Sequence, residues 1–368
     1  MIISDPNGDG ILFSRSCSDL TIMNIPETSR EVSVQLFSGD RESSFKATQF
    51  GGKVIIRLCE ILRGLDAGSV FDIDQTNGIT LSSPHRIDIY ASAGDDSATW
   101  QGWFVDGGSD LGKTSLSELF GGRYWWSFRK QSAPTFKFSK EIMVAAVNTS
   151  SKVSIVITYH FAQAGKVSST WYGDLASEQA NPKLMAIDCS FRKVREYADA
   201  LGYVNDTIIA YDITGIADSS GYPVGQRFVV APNDSRVRGW FFRNSLGGYD
   251  TVYSFGAVTR SIDSETRVFT ARRTSTELEN YSDEVWNIDT GYIADKRDLE
   301  LWYEFLRSKE RYAISLDGSL GKIIVDECDS DLQSGNLGNM TFKCRFAKES
   351  SGYDFTKPVL EDFSDEYT

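Results

Sequence analysis

The chain has 368 residues, which is enough for two or three domains of the usual ~100–200 residues. It carries 38 Lys and Arg residues against 51 Asp and Glu residues, so its formal net charge is −13. This charge argues against a nucleic-acid partner and against an anionic membrane surface, because both need clustered basic side chains. No stretch approaches the ~20 apolar residues of a membrane helix, and we expect neither membrane insertion nor a secretory signal.

Histidine and cysteine content narrows the chemistry further. His85 and His160 are the only two histidines, which excludes most zinc sites and most histidine-based acid–base catalysis. The five cysteines include no CxxC pair. In a chain of this size we expect reduced core thiols rather than a disulfide framework.

The first predicted elements in chain order are a helix, a strand and a short second helix. Val54, Leu58 and Ile61 are spaced for one face of a helix over 54–65. The looser alternation of residues 86–92 predicts a strand, and residues 116–120 predict a helix of under two turns.

The middle of the chain contains the clearest strand. Val153, Ile155 and Ile157 alternate with polar residues over 153–161, which is typical of a strand with one face in the core. A further helix is predicted over 194–201 and a further strand over 207–214.

The strongest helix prediction covers 296–308. Its apolar stripe contains Leu299, Trp302, Tyr303 and Leu306, and Asp295 is placed to cap its first turn. The turn 317–319 then predicts a hairpin between 311–316 and 321–327, and residues 340–346 alternate as a last strand.

These patterns predict a mainly β protein, built from antiparallel β-sandwich-like domains with a few peripheral helices. The helical segment that stops at Gly202 suggests a boundary near 202–206. We therefore expect an N-terminal β-rich domain over 1–204, a C-terminal β-rich domain over 205–348, and an exposed acidic tail over 349–368.

One stretch matches the nucleotide-binding P-loop pattern GxxxxGK[ST]. It runs from Gly107 to Thr114 and would place Lys113 on phosphate oxygens. A P-loop must open a substantial helix in a parallel sheet, whereas residues 115–120 give under two turns before Gly121. We interpret the match as a glycine loop, and an ATP-binding enzyme as the least favoured function.

Other candidate sites are weaker. Asp5-Pro6-Asn7-Gly8-Asp9-Gly10 resembles the start of a calcium loop, but Ser16 stands where the bidentate Glu belongs. The acidic cluster formed by Asp326, Glu327, Asp329 and Asp331 is interpreted as an exposed hairpin end. A carboxylate pair such as Asp72 and Asp74 could suggest a glycosidase. That reaction needs a defined distance between two carboxyl groups, and the sequence does not give that distance.

Aromatic pairs allow two interpretations. A sugar-stacking platform could be built from Trp100 and Trp103, Trp125 and Trp126, or Trp171 and Tyr172, but such residues in β-rich proteins more often form core and interfaces. His160 lies on the polar face of its strand and is interpreted as a surface histidine. No nucleophile–base pair is recognisable, so we predict no catalytic residue, no cofactor and no metal site.

The most distinctive stretch is WFFRNSLGGYDTVYSF at 240–255, followed by the helix LELWYEFLRSKERY and the hairpin AISLDGSLGKIIVDE. Together with the strand–turn–helix unit SFKATQFGGKVIIRLCEIL at 44–62, it resembles structural tail-module proteins of tailed phages and prophages of Bacteroidetes-type bacteria. The resemblance implies a distal tail, tail-tip or baseplate component. It also implies a ring, with six copies suiting a tail axis, in contact with adjacent tail proteins in a virion assembled in the host bacterium.

An assembly role directs attention to contact residues. The hairpin 313–327 is the expected joint between subunits, since edge strands pair readily across chains. The expected interface side chains are Trp240, Phe242, Gly247, Gly248, Tyr249, Asp250 and Trp302. The alternative function is a carbohydrate-binding or adhesion protein of the β-sandwich type.

Overall fold

The computed structural model describes residues 1–4, 11–15, 19–65, 69–73, 78–108, 125–147, 153–175, 183–217, 224–232, 234–271, 274–293, 295–330 and 338–347. The fold is mainly β, as the sequence predicts: the described residues form five sheets and three helices. No described helix has the length and apolar character needed to cross a membrane.

Two sheets near the N-terminus pack face to face as a sandwich. Sheet 1 consists of β1 (Ile2–Ser4), β3 (Leu20–Met23) and β6 (Val54–Ile56), in the order β1-β3-β6. Sheet 2 consists of β2 (Ile11–Phe13), β4 (Glu31–Ser38), β5 (Arg41–Thr48), β8 (His85–Ala93) and β9 (Asp96–Val105), in the order β2-β9-β8-β4-β5. Strand alternation places Val32, Val34 and Leu36 inside, and helix α1 (Leu58–Leu65) adds Leu58 and Leu62 to the same core.

Two further sheets enclose a second core. Sheet 3 consists of β7 (Ile79–Ser82), β11 (Ile142–Val147) and β14 (Lys183–Asp188), in the order β11-β14-β7. Sheet 4 consists of β10 (Ser132–Thr135), β12 (Val153–Phe161), β13 (Gly165–Leu175), β15 (Ile208–Ala217) and β16 (Val224–Val230), in the order β10-β16-β15-β12-β13. Helix α2 (Phe191–Ala200) buries Val194 and Ala198 in this core.

Sheet 5 is the largest, with seven strands in the order β18-β17-β21-β22-β23-β20-β19. Its strands are β17 (Arg238–Arg243), β18 (Tyr249–Ser254), β19 (Val258–Ala271), β20 (Thr274–Asp289), β21 (Arg311–Ile314), β22 (Leu320–Ser330) and β23 (Met340–Phe346). Helix α3 (Lys296–Arg307) covers one face with Trp302 and Phe305.

Sheet 3 is the central layer of a stack, with sheet 4 on one side and sheet 5 on the other. Met143 and Ala145 point into the core shared with sheet 4, whereas Ile142 and Val144 point into the core shared with sheet 5. Both faces of β11 are therefore buried, and the layers run sheet 4, sheet 3, sheet 5 and α3. Phe13 and Val105 join the N-terminal sandwich to the core between sheets 3 and 5.

The predicted domain boundary at 202–206 is wrong. Strand β12, before it, pairs with β15, after it, from Val153–Ala217 to Phe161–Ile208. The helix that ends at the predicted boundary lies against sheet 4, and the chain then returns to that same sheet. The expected divisions 1–204 and 205–348 thus cut through one core, and the tail 349–368 lies outside the described residues.

The helix predictions hold best where a cap accompanies the periodicity. Helix α3 spans Lys296–Arg307, and the Asp295 carboxylate accepts hydrogen bonds from the amides of Arg297 and Asp298, as predicted. Its buried positions are Trp302 and Phe305, while Tyr303, predicted to be buried, is 36% exposed. The predicted hairpin is present, with Tyr312 opposite Lys322.

Two other helices differ from their predicted bounds. The helix expected over 54–65 begins only at Leu58, because Val54–Ile56 pairs with β3 as a strand. Helix α2 spans Phe191–Ala200 rather than 194–201. The short helix expected over 116–120 lies outside the described residues.

One cysteine departs from the expected reduced state. Cys59 is disulfide-bonded, whereas Cys189, Cys328 and Cys344 are free and Cys17 lies outside the described residues. Cys189 and Cys344 are buried, as expected of core thiols, while Cys328 is exposed.

Candidate functional site

The expected interface side chains belong to the interior of the chain. Trp240, Phe242 and Asp250 have no exposed surface, Tyr249 is 1% exposed and Trp302 is 3% exposed. Trp240, Phe242 and Trp302 pack between sheet 5 and α3, and Tyr249 packs between sheets 3 and 5. Their burial within this chain corrects the prediction, since a core side chain is not presented to a partner.

Gly247 and Gly248 have the backbone roles expected of them, which are a positive φ and a close backbone approach. The backbone that they approach belongs to this chain and not to a partner. Gly247 adopts φ +87°, in the left-handed region. A Cβ on Gly248 would overlap the carbonyl oxygen of Trp126. Asn244 closes the turn, because its Oδ1 accepts hydrogen bonds from the amides of Leu246 and Gly248 at 3.0 Å. The turn therefore joins sheet 5 to the segment around Trp126, which precedes β10 in the chain.

Behind this turn lies a buried ion cluster. The Arg129 guanidinium donates to the Glu141 carboxylate at 2.5 Å and lies 3.2 Å from the Asp250 carboxylate, and all three side chains are at most 2% exposed. Arg129 also donates to Thr251 Oγ1 at 3.2 Å, and the Tyr253 hydroxyl donates to Glu141 at 2.7 Å. One buried cation thus holds carboxylates from sheets 3 and 5 together.

Burial sets the protonation behaviour of this cluster. Burial raises the pKa of Glu141, and the Arg129 guanidinium offsets only part of that effect. Burial alone would lower the pKa of Arg129, but the adjacent Glu141 and Asp250 carboxylates hold it above its usual value. Arg129 accordingly stays charged.

A cleft of about 220 Å³ opens beside the cluster, between sheet 5, the start of α3 and β10. We call it the aromatic cleft. Two aromatic side chains at its rim are exposed, Phe255 at 52% and Tyr292 at 76%. Deeper lining residues include Thr251, Trp302, Lys130 and Asp298.

A second cavity, of about 160 Å³, has a charged lining in which Arg243 and its carboxylate neighbours already have partners. Arg243 donates to Glu310 at 3.1 Å and to Asp106 at 3.5 Å, and the Glu304 carboxylate accepts the amide of Ser245 at 2.8 Å. Arg15 also lines this cavity. These contacts join the N-terminal sandwich to sheet 5 and α3, which makes the cavity part of a domain junction.

The long hairpin of β19 and β20 extends beyond sheet 5. β20 pairs with β23 only from Trp286–Cys344 to Asp289–Thr341. Beyond that register the two strands continue through eleven residue pairs, from Ser261–Val285 to Ala271–Thr274, with no third strand among the described residues. We call this two-stranded segment the ribbon arm; at about 3.4 Å per residue it is ~35 Å long.

The hairpin expected to join subunits lies on interior strands of sheet 5, although β22 pairs only with β23 from Ile323 to Ser330. Its strands, β21 and β22, lie in the middle of sheet 5, between β17 and β23. The edges of the sheet are β18, whose residues are all buried, and β19, which is exposed from Thr259 to Ile262. The expected joint therefore lies on interior strands of the sheet, and its exposed outer strand is β19.

The motif matches fall mostly outside the described residues. Lys113 and Thr114 of the P-loop match lie there, as does the calcium-loop match 5–10 with Ser16. Gly107 is described, and a Cβ on it would meet the Leu246 carbonyl carbon at 2.6 Å, so this glycine is needed for packing on the turn at 244–248.

The carboxylate and histidine candidates lie on the surface. Asp326 and Glu327 are exposed, as predicted, and pair with Arg345 at 3.4 Å and Lys343 at 2.7 Å. Asp331 and Asp74 lie outside the described residues, and Asp72 is exposed. No group of three potential metal ligands occurs in the part of the chain that the structure describes.

His160 lies on the outer face of sheet 4, as predicted, with its Nε2 2.8 Å from the Asp212 carboxylate. Burial alone would raise the pKa of Asp212, but hydrogen bonds from Arg227 and His160 hold it below its usual value. The group is an ion-paired ladder across neighbouring strands.

The expected sugar-stacking pairs are also placed by the structure. Trp125, Trp126 and Trp171 are buried at 3%, 2% and 6% exposure, and Trp103 is half-buried. The Trp100 ring lies over Gly102, where a Cβ would overlap it. Nothing is described of the Tyr172 side chain. The exposed aromatic side chains at the aromatic cleft are instead Phe255 and Tyr292, which no sequence spacing brings together. A local signal is Gly291, immediately before Tyr292.

Comparisons with known proteins leave the family open. No family model matches the chain, and neither does any curated protein. Among solved structures, invasin, a bacterial integrin-binding protein, is 10% identical with a TM-score of 0.19, and the match covers 77% of this chain and 55% of that chain. An S-layer protein is 8% identical with a TM-score of 0.15, covering 80% of this chain and 40% of its own. The chain thus spans about half the length of these structures, and likenesses this low carry no argument about function.

Proposed function

We propose that this chain is a structural, non-catalytic protein that works by contact with other protein chains, and that the ribbon arm is its contact element. The observation that carries the proposal is the run of eleven residue pairs with no third strand among the described residues. An isolated two-stranded ribbon is at best marginally stable in water, so one of this length is stabilised by a partner.

The exposed edge supplies the means of contact. Strand β19 is the open edge of sheet 5, and at the base of the arm Ile262 is 69% exposed. Unpaired edge N–H and C=O groups can bond to a strand of a neighbouring chain. A register shift between Arg267 and Val268 interrupts the ladder and limits indiscriminate pairing along the edge.

The finer proposal is a tail component of a phage virion. Support comes from the resemblance of 240–255, of the helix and hairpin after it, and of 44–62 to tail-module proteins. Under this proposal the copies close into a cyclic ring, with six copies suiting a tail axis, and the arm reaches a neighbouring copy or an adjacent tail protein. The chain then resides in the virion tail after synthesis in the bacterial cytoplasm.

The arm can be removed without breaking its own hairpin. Ser264 lies directly opposite Ser282, so replacing 265–281 with Asn-Gly leaves a two-residue turn in register. We expect this variant to keep the wild-type circular dichroism and melting temperature but to lose self-association or co-purification with partners, measured by light scattering after size exclusion. A matched control is Ile324→Ser, a change on an exposed residue of the interior strand β22.

Two results would count against the proposal. Unchanged association of the shortened variant would exclude the arm as the contact element. The tail assignment is tested separately by mass spectrometry and cryo-EM of purified virions, and absence of the chain from those particles would overturn it.

The alternative, a carbohydrate-binding or adhesion protein, is favoured by one observation. The aromatic cleft exposes two aromatic side chains beside polar groups, whereas Trp125, Trp126 and Trp171 of the expected platform are buried. This alternative does not depend on the ribbon arm.

A further inference from the structure

The rim of the aromatic cleft is a pair of exposed rings held on fixed backbone. The amide of Phe255 donates to the carbonyl of Thr290 at 3.0 Å, which ties the two segments that carry the rings. Gly291, at φ +74°, lies so close to Phe255 that a Cβ on it would meet the Phe255 Cβ at 3.2 Å. The Phe255 and Tyr292 segments can therefore approach only because residue 291 is a glycine.

The backbone below Tyr292 is equally fixed. Two hydrogen bonds of 2.9 Å join Thr290 and Met340. The Thr290 amide donates to the Met340 carbonyl, and the Met340 amide donates to Thr290 Oγ1. Ile293 is 3% exposed and donates its amide to Gly338. The cleft is thus formed in advance of any ligand, which lowers the entropic cost of binding.

The opposite wall is polar. Lys130 Nζ lies 2.7 Å from the Asp298 carboxylate and 2.5 Å from the Asp295 carboxylate. The Lys130 backbone is held in turn, because its carbonyl accepts the side-chain amide of Gln226 at 2.8 Å. The Asp298 side chain is 36% exposed, so it can accept a hydrogen bond from a ligand hydroxyl as well as from Lys130.

Charge balance selects a neutral ligand. The two cations at the cleft, Arg129 and Lys130, are each already paired with two carboxylates. An anionic ligand would meet Asp298 with no free cation to offset it, and a cationic ligand would compete with Lys130. A neutral molecule avoids both costs.

Size and shape narrow the choice further. The volume of about 220 Å³ is below the ~300–1,000 Å³ of sites for drug-sized ligands, so it suits a single ring. Aromatic faces beside a fixed acceptor and donor suit a molecule with one C–H-rich face and several hydroxyls. We propose that the aromatic cleft binds one neutral pyranose ring, stacked on Tyr292 and Phe255 with hydroxyls directed to Asp298 and Lys130.

The test uses the full chain and defined sugars. Neutral hexoses, 6-deoxyhexoses and N-acetylhexosamines are titrated by protein-observed NMR, with hexuronic acids for comparison. We expect saturable binding of at least one neutral sugar and weaker binding of its uronic acid. Tyr292→Ala and Phe255→Ala should each weaken that binding about threefold to tenfold, as loss of one aromatic contact does.

Controls separate stacking at the cleft from adhesion to any exposed ring. Phe50→Ala removes a 92% exposed ring from the N-terminal sandwich and should leave binding unchanged. Asp298→Asn should also weaken binding. The two rim variants, Tyr292→Ala and Phe255→Ala, should keep the wild-type melting temperature. Binding that survives both rim variants, preference for the uronic acids, or no saturable binding by any of the neutral sugars would overturn the assignment.

Discussion

At the scale of single residues, the buried Arg129 is the cation that both carboxylates of the ion cluster share. It is the shared partner of the Glu141 and Asp250 carboxylates, which come from segments more than a hundred residues apart in the chain. Removing one partner of a buried ion pair leaves uncompensated charge in a medium that solvates it poorly. The cluster therefore joins sheets 3 and 5 more specifically than apolar packing alone.

Arg129→Met should destabilise the folded chain by about 3–5 kcal/mol, because two buried carboxylates lose their counter-ion. The measurement is the free energy of unfolding in urea at neutral pH. Arg86→Met is the matched control, since Arg86 pairs with Asp88 on the surface and its loss should leave stability unchanged within error. An Arg129→Met protein as stable as the Arg86→Met protein would contradict the assigned role.

Glu141 gives stability a pH dependence of definite sign. Burial raises its pKa in the folded state above the usual ~4.3, so the folded chain binds this proton more tightly than the unfolded chain. The resulting stabilisation is fully present below the unfolded pKa and is lost as the pH rises through the folded value. Glu141→Gln removes this titration, so wild type should lose stability relative to the variant between pH 4 and pH 7. The measurement is the free energy of unfolding of both proteins, and a constant difference between them across that range would contradict this prediction.

At the scale of secondary-structure elements, periodicity predicts the half-buried strands and fails where both faces are buried. Strand β12 alternates and was recognisable from Val153 to Phe161. Strand β11, IMVAAV, has no polar face because sheets 4 and 5 cover it on both sides, so no alternation marks it. The ribbon arm lacks an apolar stripe for the opposite reason, since no third strand of the described part of the chain covers it.

Two glycines differ in how much space surrounds them, so their replacement by Ala should change stability in opposite directions. Gly64 lies in α1 with nothing within 4 Å of a Cβ, so Gly64→Ala should stabilise the chain by about 0.5–1 kcal/mol. Gly248→Ala should destabilise it by several times that amount, because the new methyl overlaps the Trp126 carbonyl, which is fixed backbone. Melting temperatures of the two variants should move in opposite directions. Shifts of the same sign would show that the turn at 244–248 relaxes freely.

At the scale of the whole molecule, the candidate site is assembled from distant segments. Lys130, Phe255 and Tyr292 come together only because the segment that leads into β10 lies beside sheet 5 and the start of α3. No spacing in the sequence encodes that juxtaposition, whereas the cap at Asp295 and the turn glycines are local and could be predicted. The burial of residues 240–255 is likewise set by distant segments and could not be predicted from the resemblance.

The same long-range pairing predicts how the chain responds to being cut. A break between residues 204 and 205 separates β12 from β15, which pair along nine positions at the centre of sheet 4. It also divides the core that contains Ile157 and Ile213, so each piece would expose an apolar sheet face. We expect the pieces 1–204 and 205–368, expressed separately, to give poorly dispersed amide NMR spectra, and to recover dispersion only when mixed or co-expressed. A well-dispersed spectrum from either piece alone would mean that the boundary read from the sequence divides two folding units after all, despite the sheet that crosses it.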